Sequence, residues 1–152
     1  MEVFRLQNTK YPIGLSGVGA AKIGARWNSK GTEVIYTAQN RALAMAEVAV
    51  HLTLATMPKG FAMITIEIPD DLEVYVLDNK KLSKVWNIFP ESNETQKLGD
   101  AIIRENKYCI IKVPSAVVKG ESNFLINPYH KDFSKIKIVH QEDFPFDKRI
   151  FK

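Results

Sequence analysis

The sequence predicts one α+β domain over residues 1–152, built from mixed, mainly antiparallel short strands with two or three helices. Three observations lead there. A chain of 152 residues suits one domain with a core of its own. With 45% hydrophobic and 25% charged residues, its composition is that of a folded globular protein, not a disordered tail or a coiled coil. Finally, β-prone runs outnumber helical ones and lack the regular strand–helix alternation of a doubly wound parallel sheet. No repeat, low-complexity tract or linker divides the chain.

Residues 11–31 hold Gly14, Gly17, Gly19, Gly24 and Gly31, and are expected to form ordered loop around short strand pieces. Val34-Ile35-Tyr36-Thr37 is a short β-prone run. Thr37 or Asn40 can cap a following helix over about 41–55, since their side-chain oxygens accept free first-turn N–H groups. That helix is apolar nearly all round, which predicts deep burial, with a polar stripe of Asn40, Glu47 and His51. Residues 61–68 place Ala62, Ile64, Ile66 and Ile68 on one face of a strand that Pro69 ends. A strand over 73–77 follows, and then a helix from Asn93 or Thr95 to Asn106 with Leu98, Ile102 and Ile103 inward. Residues 108–113, 124–126 and 136–139 supply further strands.

The net charge of +4 is localised. Residues 1–60 carry seven basic and three acidic side chains, and the remainder fourteen of each. A local anion site fits this better than a basic nucleic-acid coat. Cys109, the single cysteine, excludes an internal disulfide and a cysteine zinc cluster, and its apolar surroundings predict a buried, inert thiol. No run approaches the ~20 apolar residues of a membrane span, and the first residues lack signal-peptide order. A cytoplasmic protein with no membrane contact is expected.

Familiar catalytic motifs fail. Gly17 and Gly19 are followed by Lys22 where a dinucleotide fingerprint needs glycine, and Ala25-Arg26 stands where a phosphate loop needs Lys-Ser/Thr. His51, His130 and His140 are too scattered for a zinc helix, so no metal is expected. Ser16, Ser29 and Ser115 lie in no nucleophile elbow. What stands out is Arg26 beside Trp27 and Asn28 after a glycine-rich loop, with Tyr36 ten residues on and Glu47 eleven further. Arg26 suits pyrophosphate, because a planar guanidinium donates paired hydrogen bonds and stays charged when desolvated. Glu47, the only acid on an apolar helix, calls for a partner or a task. Trp27 is expected to pack in the core.

These blocks resemble the RES domain. Its front half is matched by Gly24-x-Arg26-Trp27-Asn28-x-x-Gly31, Val34-x-Tyr36-Thr37 and Ala42-Leu43-Ala44-x-x-Glu47-Val48-x-Val50-His51-Leu52. The back half is matched by Val113-Pro114-Ser115-Ala116-Val117-Val118, by the stretch from Glu121 through Asn123, Asn127, Pro128 and His130 to Phe133, and by Phe146-Asp147-x-Arg149. The family's Arg, Glu and Ser map to Arg26, Glu47 and Ser115, and Arg5 matches an early arginine. Ala25, Ala38 and Gly99 depart from the usual Gly, Ser and nearby Trp.

The resemblance implies an ADP-ribosyltransferase-like fold and the toxin of a bacterial toxin–antitoxin pair. It implies a substrate, NAD, cleaved at the nicotinamide–ribose bond by hydrolysis or phosphorolysis, and a helix-turn-helix antitoxin as partner. A homodimer is compatible with it. On this reading Glu47 stabilises the ribosyl cation, Arg26 and Arg5 clamp pyrophosphate with Asn28 nearby, Tyr36 stacks on or orients nicotinamide, and Ser115 and Asn123 position ribose or amide groups. The alternatives are a mono-ADP-ribosyltransferase acting on protein and a small nucleic-acid-binding domain.

Overall fold

The computed structural model describes residues 1–151. Seven strands form one sheet: β1 (Glu2–Asn8), β2 (Ile35–Ala38), β3 (Phe61–Glu67), β4 (Val74–Val76), β5 (Ile110–Pro114), β6 (Ser122–Ile126) and β7 (Lys137–Asp143). Their order is β4-β5-β6-β2-β1-β3-β7. Every pair is antiparallel except β4 with β5. Three helices accompany the sheet: α1 (Val18–Ile23), α2 (Arg41–Ala49) and α3 (Asn93–Glu105). The expected α+β class and strand-rich architecture are therefore found.

Alternation along the strands sorts the core onto two faces. Val3, Ile35, Ile64, Ile110 and Ile126 pack on one face with Ile66, Ile68 and Leu72. On the other, Phe4, Leu6, Ala38 and Met63 pack under Leu43 and Ala44 of α2. Ile111, Val113 and Leu125 lie under Ile103 of α3, with Trp27 between. Trp27 is 2% exposed, so it packs as expected. Cys109 is buried, and that burial pushes its thiol up to about 11.

Several expectations are corrected. Helix α2 ends at Ala49 instead of about 55 and is half-buried, with only Leu43 and Ala44 fully inside. Beyond it the Thr53 and Thr56 hydroxyls bond each other and each other's backbone N–H, a local pattern that competes with continued helix. Asn40 is the cap, accepting from the Leu43 N–H at 2.8 Å. The glycine-rich segment contains α1, and residues 2–8 form a strand that the sequence pattern conceals. Strand β3 is buried on both faces from Phe61 to Ile66.

The sheet has one weak seam. Strand β1 matches β3 along seven residues, yet it meets β2 only at Phe4 and Ala38. The two strands part on either side of that pair, and the opening is where the site forms.

Candidate active site

A cavity of about 670 Å³ occupies this opening. Its floor is given by Phe4, Arg5 and Leu6 of β1 and Tyr36, Thr37 and Ala38 of β2. Helix α2 supplies Ala44, Glu47 and Val48 on one side, and residues 87–91 form another wall.

Glu47, on the cavity wall, is held by two side chains. Its Oε1 accepts from Ser115 Oγ and from Asn123 Nδ2, both at 2.7 Å. The Ser115 oxygen also accepts from the Val117 and Val118 N–H groups at 3.1 and 3.0 Å. Those two donors occupy its lone pairs, so its single hydrogen is directed at Glu47. Both side-chain bonds fall on one carboxylate oxygen, and Oε2 has no hydrogen-bond partner among the described residues. The result is an oriented carboxylate with one oxygen committed to the protein and the other unassigned.

Ser115 itself is 5% exposed and is absent from the cavity lining. Its contact is with Glu47, not with space a ligand could fill. Asn123, on β6 opposite Ala38, does line the cavity.

The loop bearing Arg26 is fixed by α3. Gln96 Nε2 donates to the Ala25 carbonyl at 2.9 Å. The Asp100 carboxylate accepts from Ser29 N at 3.0 Å and from Ser29 Oγ at 2.5 Å. Gly99 permits the approach, since a Cβ there would lie 1.9 Å from the Trp27 carbonyl oxygen. Gly24, with φ of +74°, turns the chain into this loop.

Asn28 is a correction to the expected ligand contacts. It is fully buried and off the cavity wall. Its Nδ2 donates to the Ala20 and Thr32 carbonyls at 2.9 Å, and its Oδ1 accepts from the Tyr36 hydroxyl at 2.7 Å. The amide knots the loop together, and none of it is left for a ligand.

Tyr36 presents its ring to the cavity and its hydroxyl to the loop, where it also accepts from Trp27 N at 2.9 Å. Burial raises its pKa, with the nearby Glu91 and Asp100 charges adding to the rise and the Trp27 N–H opposing it. The phenol is therefore a neutral strut carrying an aromatic face.

Arg26 and Arg5 both line the cavity that holds Glu47. Arg26 donates from Nη1 to the Trp86 carbonyl and from Nη2 to the Ile88 carbonyl, each at 2.9 Å. It thus grips residues 86–88 instead of standing free for an anion. Arg5 makes one long bond, Nη1 to the Ser16 carbonyl at 3.3 Å, and pairs with no carboxylate among the described residues. Burial holds its guanidinium below the ordinary value. Its half-buried charge is left unneutralised, whereas the Arg26 guanidinium is spent on two carbonyls.

Sequence reasoning missed Asn87, Phe89 and Glu91, which reach the cavity from a segment with no motif, and gave His51 no task. Glu91 also means that Glu47 is not the cavity's lone acid. Among the described residues no group of three or more His, Cys, Asp or Glu could hold a metal ion, and no helix is long and apolar enough to cross a membrane.

Comparison with known proteins agrees with this architecture. The "Toxin Res" of Photorhabdus laumondii is 35% identical over 154 residues, covering 100% of this chain and 98% of its own. The "Prs ADP-ribosylating toxin" of Sphingobium sp. is 33% identical over 140 residues, covering 91% and 87%. The MbcT–MbcA toxin–antitoxin complex of M. tuberculosis contains a chain of the same fold, with a TM-score of 0.78 at 20% identity, covering 94% of this chain and 83% of that one. The RES domain model matches residues 2–147, and with relatives of about one-third identity along its length this chain belongs to the RES domain family.

Proposed function

We propose that this chain is the toxin of a toxin–antitoxin pair and depletes NAD in the cytoplasm by cleaving the nicotinamide–ribose bond. One observation carries the reading: Glu47 stands on the wall of a dinucleotide-sized cavity with one oxygen tied down and the other unpartnered.

In the reaction, the C1′–N bond breaks and its electron pair leaves on nicotinamide. The leaving group is a neutral pyridine, so no acid is needed to protonate it, unlike an ordinary glycosidic alkoxide. Positive charge develops on the ribosyl carbon. A fixed carboxylate lowers the energy of that state more than of the ground state, because the charge it faces exists only there. Oxygen of water or of phosphate then bonds C1′, and the water route releases one proton. Arg5 holds the pyrophosphate, Asn123 and Ser115 keep Glu47 aimed, and the Tyr36 ring supports the departing base. These roles differ from the sequence expectation in three respects: Arg26 acts first on the 86–88 segment, Asn28 on its own loop, and Ser115 and Asn123 on Glu47 instead of on ribose or amide groups.

Purified chain incubated with NAD, with and without phosphate, should release nicotinamide, and the ribosyl product identifies water or phosphate as acceptor. Glu47→Gln should lower kcat by about 10²–10³-fold with little change in KM. Parental turnover by Glu47→Gln would sink the assignment. The name of the Sphingobium relative favours a second reading, transfer of ADP-ribose to a protein. Label from NAD appearing on a macromolecule would select it. Expected partners are NAD and a helix-turn-helix antitoxin encoded beside the toxin, whose co-purification checks the pairing.

A further inference from the structure

The segment between the 3-10 turn at Asn79–Lys81 and α3 forms a strap along the cavity. It is pinned at three places. Ser83 donates from N and Oγ to the Glu94 carboxylate, both at 2.7 Å. The Trp86 ring packs on Trp27 with centroids 5.9 Å apart. The Trp86 and Ile88 carbonyls accept from Arg26. With the Trp86 and Ile88 carbonyls turned to Arg26, Asn87 between them and Phe89 and Glu91 beyond line the cavity.

Two of these groups have few partners in the fold. Phe89 is 73% exposed, and its nearest aromatic neighbour is the His51 ring at 6.0 Å. A phenyl left in water on a pinned strap forgoes the burial that normally justifies it. Glu91 has neither hydrogen bond nor ion pair among the described residues, although Arg5 and Arg26 line the same cavity. A ring face with an unpaired carboxylate two residues away matches a nucleoside: a flat base to stack and a ribose whose adjacent hydroxyls both donate.

We propose that Phe89 and Glu91 form a nucleoside subsite, Phe89 stacking on a base and Glu91 accepting from the 2′ and 3′ hydroxyls of its ribose, so that the cavity takes NAD and excludes NADP. The inference rests on the NAD reading above and adds to it the choice of dinucleotide. A 2′-phosphate removes one donor and brings like charge against Glu91, so exclusion comes from lost pairing and repulsion together. The cavity's two carboxylates thereby divide the work: Glu47 faces the ribose that reacts, and Glu91 the ribose that only binds.

The test is nicotinamide release from NAD and from NADP by the full chain and its variants. The parental chain should favour NAD by about 100-fold in kcat/KM, and Glu91→Gln and Glu91→Ala should shrink that preference by about tenfold or more. Both variants should lose severalfold on NAD, through KM, while gaining on NADP. Phe89→Ala should raise KM for both dinucleotides and leave the preference in place. Equal use of NAD and NADP by the parental chain, or an unchanged preference in folded Glu91 variants, overturns the subsite and leaves NAD cleavage standing. Consumption of neither dinucleotide overturns the underlying reading as well.

Discussion

Ser115→Ala is the most informative single perturbation of the Glu47 cluster. The hydroxyl sits 2.7 Å from Glu47 Oε1 and is locked in direction by the Val117 and Val118 N–H groups. A hydrogen bond to a charged group contributes about 1.5–3 kcal/mol, and its loss frees one of the two side chains that aim Glu47. Asn123 still donates at 2.7 Å, so orientation is weakened, not abolished. We expect kcat to fall by about 5–30-fold, the equivalent of 1–2 kcal/mol, with KM nearly constant. Stability falls separately, by about 1–2 kcal/mol, because two backbone donors lose their acceptor. Steady-state nicotinamide release reads the first effect and denaturant unfolding the second. A double-mutant cycle separates them further. Ser115 and Asn123 converge on one oxygen, so Ser115→Ala with Asn123→Ala should cost no more turnover than Glu47→Gln alone. In the Glu47→Gln background, Ser115→Ala should cost little further turnover. Equal losses in both backgrounds would refute the argument, since Ser115 would then act without Glu47.

Gly99→Ala should destabilise the chain by about 3 kcal/mol in chemical denaturation, because its Cβ would meet the Trp27 carbonyl at 1.9 Å; unchanged or raised stability would show that α3 can withdraw. The Cys109 thiol, pushed from 9.0 up to about 11 by burial, ionises in the unfolded chain first, so its contribution to stability is complete below pH 9 and is lost as pH rises toward 11. Unfolding free energies across that range should slope downward more in the parental chain than in Cys109→Ala, and an identical slope would contradict the burial argument.

What the sequence could disclose was what depends on neighbours along the chain. The run from Ala62 to Ile68 marks a buried strand, and Asn40 before an apolar stretch marks a helix start, because each signal lies within a few residues. The residues themselves marked Arg26, Tyr36 and Glu47, and the resemblance to the RES domain added Arg5, Ser115 and Asn123, but their spacing did not say which of them touch. Ser115 and Glu47 are separated by 68 residues and meet only because β5 leads into the turn beside α2. The strap was illegible for a sharper reason. Arg26 recognises it through the backbone oxygens of Trp86 and Ile88, and every residue carries such an oxygen. Strand β1 escaped notice because Arg5 interrupts an apolar run that is buried on both faces.

The discontinuity between β1 and β2 ties these features together. A continuous ladder from β2 to β1 would place apolar neighbours across the present opening and bury Arg5, now half-buried, with no partner for its charge. With a single shared pair, the strands keep the sheet connected while leaving floor for a ligand. Arg5 then stands on one lip, and Tyr36 and Thr37 on the other. Glu47 reaches the same opening from above, since α2 packs on β1 and β2 next to the shared pair. Cation and carboxylate therefore share one cavity without forming a salt bridge to each other, which leaves both charges to the proposed substrate, with its diphosphate and the ribosyl cation it would develop. Had Arg5 and Glu47 paired directly, the folded chain would be better neutralised, and the cavity would have little left with which to favour a transition state over a ground state.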